Sequence, residues 1–159
     1  MLGFSRWIEY KRLDLVIRAG EELGKPVVIA GSGPLESRLR ELAGAAAVPV
    51  LILRKPSDVV VRELMRRASV LVFPAVEDFG IVPVESQAAG TPVVAPRAGG
   101  ALDTVIDGVT GTLVDSLTAA ELASGVERAS PLAAADCRAN AERFSYHSFA
   151  ARFREWVGF

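Results

Sequence analysis

The chain has 159 residues, half of them hydrophobic, and its 18 basic side chains nearly balance 19 acidic ones. That length suits one domain with a real core, roughly 68–70% of the unfolded surface being buried at this size. The near-neutral balance excludes an overall field favouring nucleic acid or an anionic membrane, and a single cysteine, Cys137, excludes an intramolecular disulfide framework.

In chain order, Met1 to Ser5 predicts a first strand, and Leu13, Val16, Ile17 and Leu23 mark the apolar face of a helix. Pro26 to Ala30 predicts a second strand, Leu35, Leu39, Leu42 and Ala43 a second helix, and Val48 to Leu53 a third strand. Val59-Val60-Val61 is ambiguous by propensity. Ser57 or Asp58 can cap that segment, however, and Leu64, Met65 and Ala68 continue a helical stripe, so a helix is expected. Val70 to Phe73 and Pro92 to Ala95 read as strands four and five, Thr112 to Val114 as the last, with a helical tail from about Leu117. The strand runs are short, rich in Val and Ile, and lack polar alternation, as in strands buried on both faces. Repeated strand-helix alternation predicts an α/β fold with a doubly wound, parallel, Rossmann-like sheet spanning 1–159 as one domain. No leader or bilayer-crossing stretch is visible, so the expected location is cytoplasmic, with membrane association of a longer protein left open.

Ligands of such sheets bind beyond the carboxyl ends of the strands. The loop after the first strand carries Arg6 and Lys11, which flank the start of a helix, where cations oppose the dipole. A bound anion resolves that conflict; extension into water is the other reading. Gly31-Ser32-Gly33-Pro34 follows the second strand, with Glu36 at the third glycine position of a dinucleotide fingerprint and no P-loop lysine. Turn chemistry alone accounts for it. After the fourth strand come Glu77-Asp78-Phe79-Gly80-Ile81 and then Pro83 and Glu85. Gly80 permits close backbone approach to a ligand, Pro83 suits the first turn of a helix, and Glu85 is expected among that helix's unpaired N–H groups. Gly99-Gly100 closes the set as a turn. Lone His147 and Cys137 have no partners for a metal site or triad and read as structural.

The string from Glu77 to Glu85, two glutamates flanking seven residues around Phe79-Gly80-Ile81, closely resembles the signature of family-4 (group 1) retaining glycosyltransferases with the GT-B fold. Arg6 and Lys11 are similar to that family's arginine and lysine after the first strand, and Gly31 and Gly33 to its glycine-rich turn. The resemblance implies the C-terminal, donor-binding half of a two-domain enzyme, its N-terminal acceptor domain absent here. By it, Arg6 and Lys11 act on the donor diphosphate in place of a metal ion, Glu77 contacts the donor sugar and Glu85 holds the ribose hydroxyls. Backbone groups of Gly31, Gly33, Phe79, Gly80 and Ile81 complete the site. Arg6, Lys11 and Glu77 are thus the candidate catalytic residues. No cofactor or metal is implied; the nucleoside diphosphate-sugar is a substrate. The Glu77–Glu85 variant is similar to that of members using GDP-mannose, hence a mannosyltransferase-like reading. Leu53-Arg54-Lys55-Pro56 departs from a glycine many members have, near the nucleobase, and leaves the base open. Phe144, Tyr146, Phe149, Phe153 and Trp156 place many aromatics in a C-terminal helix, expected at about 145–157 and open to self-association or to the missing domain. The isolated chain is expected to be inactive in transfer. Two other readings remain: a noncatalytic Rossmann-like nucleotide-binding module, and a retaining glycosidase using both glutamates, in which the basic pair has no task.

Overall fold

A computed structural model describes residues 1–158. The apolar runs form six strands, β1 (Leu2–Arg6), β2 (Val27–Ser32), β3 (Val50–Arg54), β4 (Leu71–Val72), β5 (Val93–Pro96) and β6 (Gly111–Val114). They make one sheet in the order β3-β2-β1-β4-β5-β6, every pairing parallel. Eight helices connect and extend it: α1 (Leu13–Leu23), α2 (Glu36–Ala45), α3 (Asp58–Arg67), α4 (Ile81–Ala88), α5 (Ala101–Thr104), α6 (Ala119–Ala129), α7 (Ala134–Glu142) and α8 (Tyr146–Val157).

Because side chains alternate across a strand, neighbouring residues feed opposite layers. Val94 packs with Val16, Ile17, Leu122 and Val126 beneath α1 and α6, whereas Val93 and Ala95 pack with Met65, Phe73 and Leu113 on the other face. The doubly wound expectation therefore holds. One strand departs from it. β3 is one of the sheet's two edges, paired only with β2, and Leu51 is 52% exposed, so this run, unlike the buried edge strand β6, is not covered on both faces.

Two local rules shaped the ambiguous segment 57–68 into α3. Ser57, not Asp58, caps it by accepting the Val60 N–H at 3.5 Å, and Asp58 sits in the first turn, where a carboxylate suits the helix dipole. Helix α4 is fixed by a buried polar network linking three helices. Gln87 Nε2 donates to the Thr104 carbonyl at 2.8 Å, and Asn140 Nδ2 donates both to Gln87 Oε1 at 2.6 Å and to the Thr104 carbonyl at 2.9 Å. Satisfied buried networks of this kind specify one arrangement. Among the described residues, no helix is long and apolar enough to cross a membrane.

The order of strands places a topological switch between β1 and β4, whose following helices cover opposite faces of the sheet. A crevice opens there at the carboxyl ends.

Candidate functional site

At that edge a cavity of about 680 Å³ is lined by Arg6, Lys11, Gly31, Lys55, Glu77 and the backbone-rich segment Phe79–Val82. Lys11 stands directly before Arg12, the N-cap of α1, but not in line with the helix. A 3-10 turn, Glu9–Lys11, intervenes, and Arg12, with φ of 47°, turns the chain into α1. The expected conflict with the helix dipole is replaced by a different one: the Lys11 side chain is only 5% exposed. A buried ammonium is costly unless paired. Here it pairs with the Glu77 carboxylate, and the ring centroids of Tyr10 and Phe73 lie 4.7 and 5.3 Å from its Nζ. Glu77 remains a quarter exposed, at 26%, so one side of the pair faces the cavity.

Glycines set the walls. Gly31 has φ of 139°, and a Cβ there would run into the Ser5 carbonyl; one on Gly33 would run into the Trp7 backbone. Gly31 lines the cavity, whereas Gly33 lies behind it and lets β2's turn close on Trp7, whose N–H donates to the Ser32 carbonyl at 2.9 Å. The Glu77–Gly80 loop sits on Gly99-Gly100 in the same manner. The Gly100 N–H donates to the Glu77 carbonyl at 2.7 Å, and a side chain at either glycine would strike the loop backbone. This pair is therefore more than a turn: it seats the segment that carries the carboxylate. Gly80, with φ of 83°, delivers the chain into α4, with Pro83 in its first turn. Phe79 is half-exposed and meets Phe144 edge to face, ring centroids 5.6 Å apart.

Glu85 differs from its expected setting in two ways. Because α4 starts at Ile81, Glu85 falls in the second turn rather than among the unpaired N–H groups of the first. It also does not line the cavity of Lys11 and Glu77 but an adjacent one, about 680 Å³, between α3 and α4. Asp58, Arg62 and Met65 line that second cavity, and Phe4 lines both. Partial burial and then the Asp58 charge push the Glu85 carboxyl pKa up. The two glutamates thus open on separate cavities that share Phe4 as a wall residue.

Tyr10, against Lys11, goes unmarked by any sequence motif; Lys55 and Asp58 enter only as part of the Leu53–Pro56 loop and as a helix-cap candidate. Lys55 has φ of 48° and its N–H donates to the Gly31 carbonyl at 2.7 Å, which aims it at the cavity. Its neighbour Arg54 instead pairs with Glu36 at 2.8 Å. The charged pair ending an apolar run was the available signal. Among the described residues no cluster of three or more His, Cys, Asp or Glu is placed to hold a metal ion. His147 is exposed on α8, and Cys137 is buried, its thiol pKa raised by that burial.

Comparison with known proteins supplies the family and the fold. The family model "Glycosyl transferases group 1" matches residues 1–144. D-inositol 3-phosphate glycosyltransferases of Mycobacterium bovis and Mycobacterium tuberculosis are 36% identical over 127 residues, covering 74% of this chain but 26% of their own length. Among solved structures, Anabaena HepE in complex with UDP and glucose superposes with a TM-score of 0.82 at 25% identity, over 99% of this chain and 47% of that one. Pneumococcal O-GlcNAc transferase GtfA, in complex with UDP and GlcNAc, gives a TM-score of 0.85 at 19% identity over 99% of this chain and 35% of that one, a likeness of fold. The chain thus spans about a quarter of the curated relatives' length and under half of these structures. With the family model covering all but the last helix, and the parallel sheet matching one half of GT-B enzymes, this chain belongs to the group 1 glycosyl transferases.

Proposed function

We propose that the chain is the donor-binding half of a retaining glycosyltransferase that moves a sugar from a nucleoside diphosphate to a hydroxyl acceptor. The observation that carries this reading is Lys11: a nearly buried ammonium, beside Arg6, paired with Glu77 at the carboxyl edge of the sheet. A cation held there without access to bulk water interacts strongly with charge that develops on a leaving diphosphate, and being fixed it needs little reorganisation. Arg6 and Lys11 take the diphosphate without a metal ion, Glu77 takes hydroxyls of the transferred sugar, and Glu85, in the adjoining cavity, takes the ribose. Backbone groups of Gly31 and of Phe79, Gly80 and Ile81 line the first cavity for the remaining oxygens. The segment Glu77–Glu85 favours GDP-mannose as donor, with a UDP-sugar as the alternative, since HepE is seen with UDP-glucose and GtfA with UDP and GlcNAc.

Transfer also requires an acceptor-binding domain beyond this chain, supported by the 26% coverage of the mycobacterial relatives. The exposed aromatics of α8 are a surface for that domain. Calorimetry with GDP, UDP and their sugars, each with and without a chelator, tests the reading. Micromolar to millimolar binding unaffected by chelation is expected; binding that vanishes with the metal, or that no nucleotide shows, overturns it.

A further inference from the structure

One side chain packed against the cavity's buried lysine stands outside the roles just given. Tyr10 lies in the 3-10 turn immediately before Lys11, half-exposed, with its ring centroid 4.7 Å from the Lys11 ammonium. Aromatic faces and edges near a cation hold it in place when water is excluded. Phe73 provides the inner ring and Tyr10 the outer one, so Lys11 is enclosed by two rings and one carboxylate, and Tyr10 is the member that reaches solvent. Hydrogen bonding to Lys11 is the largest influence on the phenol. With the charge of Lys11, and then the hydrogen bond and charge of Arg6, it draws the phenol pKa below the ordinary tyrosine value, against an opposing effect of desolvation. The phenol therefore feels the charge of both cations that the proposed donor diphosphate needs.

Resting on that donor-binding reading, we propose that Tyr10 is a further residue of the diphosphate clamp. Its ring closes over the Lys11 ammonium, and its O–H donates to a phosphate oxygen held by Lys11 and Arg6. An anion arriving at this spot releases Lys11 from part of its pairing with Glu77 and gives the phenol an acceptor, so Tyr10 favours the liganded state. The groups that set its proton are Lys11 from the same turn, Arg6 from the end of β1, and Glu77, from the loop before α4, acting through Lys11. A tyrosinate at that place repels a diphosphate. Nucleoside diphosphate affinity accordingly falls as pH rises through the phenol pKa.

The chain has only one other tyrosine, Tyr146, so a Tyr146→Phe background leaves Tyr10 as the sole phenol and its ionisation can be followed by tyrosinate absorbance. In that background Tyr10 is expected to titrate below about 10, the free-phenol value, to return toward it in Lys11→Met, and to rise when inorganic pyrophosphate is added. In parallel, Tyr10→Phe, which keeps the ring, is expected to lose about tenfold in affinity for GDP or UDP, with affinity for the phosphate-free nucleoside unchanged and the alkaline fall in diphosphate binding abolished. Diphosphate binding by Tyr10→Phe equal to that of the parent chain overturns the assignment. So does a phenol that titrates normally and ignores pyrophosphate, whatever the nucleotides do. A phenol that responds to pyrophosphate in a chain that binds neither GDP nor UDP supports Tyr10 as an anion ligand and overturns the nucleotide-donor reading instead.

Discussion

Lys11 and Trp156 break the ordinary burial rule in opposite directions. The lysine is 5% exposed and the tryptophan 82% exposed, although charge belongs in water and large aromatic surface out of it. Their surroundings explain the difference. Lys11 is enclosed by Glu77, Tyr10 and Phe73 on a turn anchored between β1 and α1, so its burial is compensated within the chain. Trp156 lies on α8, none of whose residues is buried, and its ring contact is with Phe153 of the same helix. One region compensates its charge from within; the other presents apolar surface that, among the described residues, nothing covers. A buried charge needs partners around it, whereas exposed apolar surface of this kind is a place where another body can dock.

The contrast is tested most severely at Lys11. Lys11→Met keeps the length and apolar stem while removing the charge, and the loss of a charged hydrogen bond worth about 1.5–3 kcal/mol is a loss of roughly tenfold or more in nucleoside diphosphate affinity by calorimetry. Because Glu77 is 26% exposed and can hydrate, the thermal midpoint is expected to move by less than about 4 °C, near 1 kcal/mol for a domain of this size. Unchanged affinity, or unfolding at room temperature, contradicts the view of Lys11 as a functional rather than a structural charge.

A next, smaller effect separates the two carboxylates. Glu85→Ala is expected to weaken bare nucleoside diphosphate and nucleotide-sugar alike. Glu77 was read from the sequence as a ligand of the sugar alone, but it also holds Lys11, so Glu77→Ala should reach both ligands, with the larger loss on the nucleotide-sugar. Equal losses on both ligands for both variants remove the distinction.

Much of this was legible beforehand because it rests on local rules. Uninterrupted Val and Ile runs fixed a parallel sheet, and Ser57 with Leu64, Met65 and Ala68 decided α3 against a strand despite three consecutive valines. The spacing of Glu77, Gly80 and Glu85 gave the loop entering α4. What could not be read was tertiary. Nothing in the segment Glu9–Lys11 announces a 3-10 turn, because its reward is the Lys11–Glu77 pairing across 66 positions of chain. That Glu85 opens on a second cavity depends on how α3 packs beside α4, and that β3 is an edge strand depends on strand order, which its own residues do not encode.

The electrostatics of Glu85 give a smaller effect with a defined sign. Its folded pKa is raised, first by partial burial and then by Asp58, so the charged form is penalised in the native state. The favourable contribution of the protonated form is complete below the unfolded pKa and disappears as pH rises through the folded one. Glu85→Gln is therefore expected to raise the thermal midpoint slightly at neutral pH, with the advantage fading as pH falls below the ordinary carboxylate range. A gain that persists at acid pH shows that the effect is not electrostatic, and a loss at neutral pH shows that Glu85 is held by a partner in the native state.

The smallest effect belongs to α8, and it closes the contrast with Lys11. An isolated helix of this length is marginal in water, and α8, of 12 residues, contributes no buried side chain to either core layer. Its Ser145 cap, accepting the Ser148 N–H at 3.2 Å, and the stacking of Phe149 on Phe153 with ring centroids 5.8 Å apart act within the helix and do not tie it to the sheet. Ending the chain after Ser145 should leave the thermal midpoint within about 2 °C, as expected for removal of exposed structure, and should leave nucleoside diphosphate binding intact. Amides of residues 147–157 should exchange far faster than those of β1, β4 and β5, since local opening of this helix exposes almost no additional core. Raising the protein concentration should protect those amides if exposed Tyr146, Phe149 and Trp156 find one another in a second copy. Protection already complete at a concentration where the chain is monomeric would mean that α8 is held by its own domain, and the outward half of the comparison would fall while the inward half at Lys11 stood.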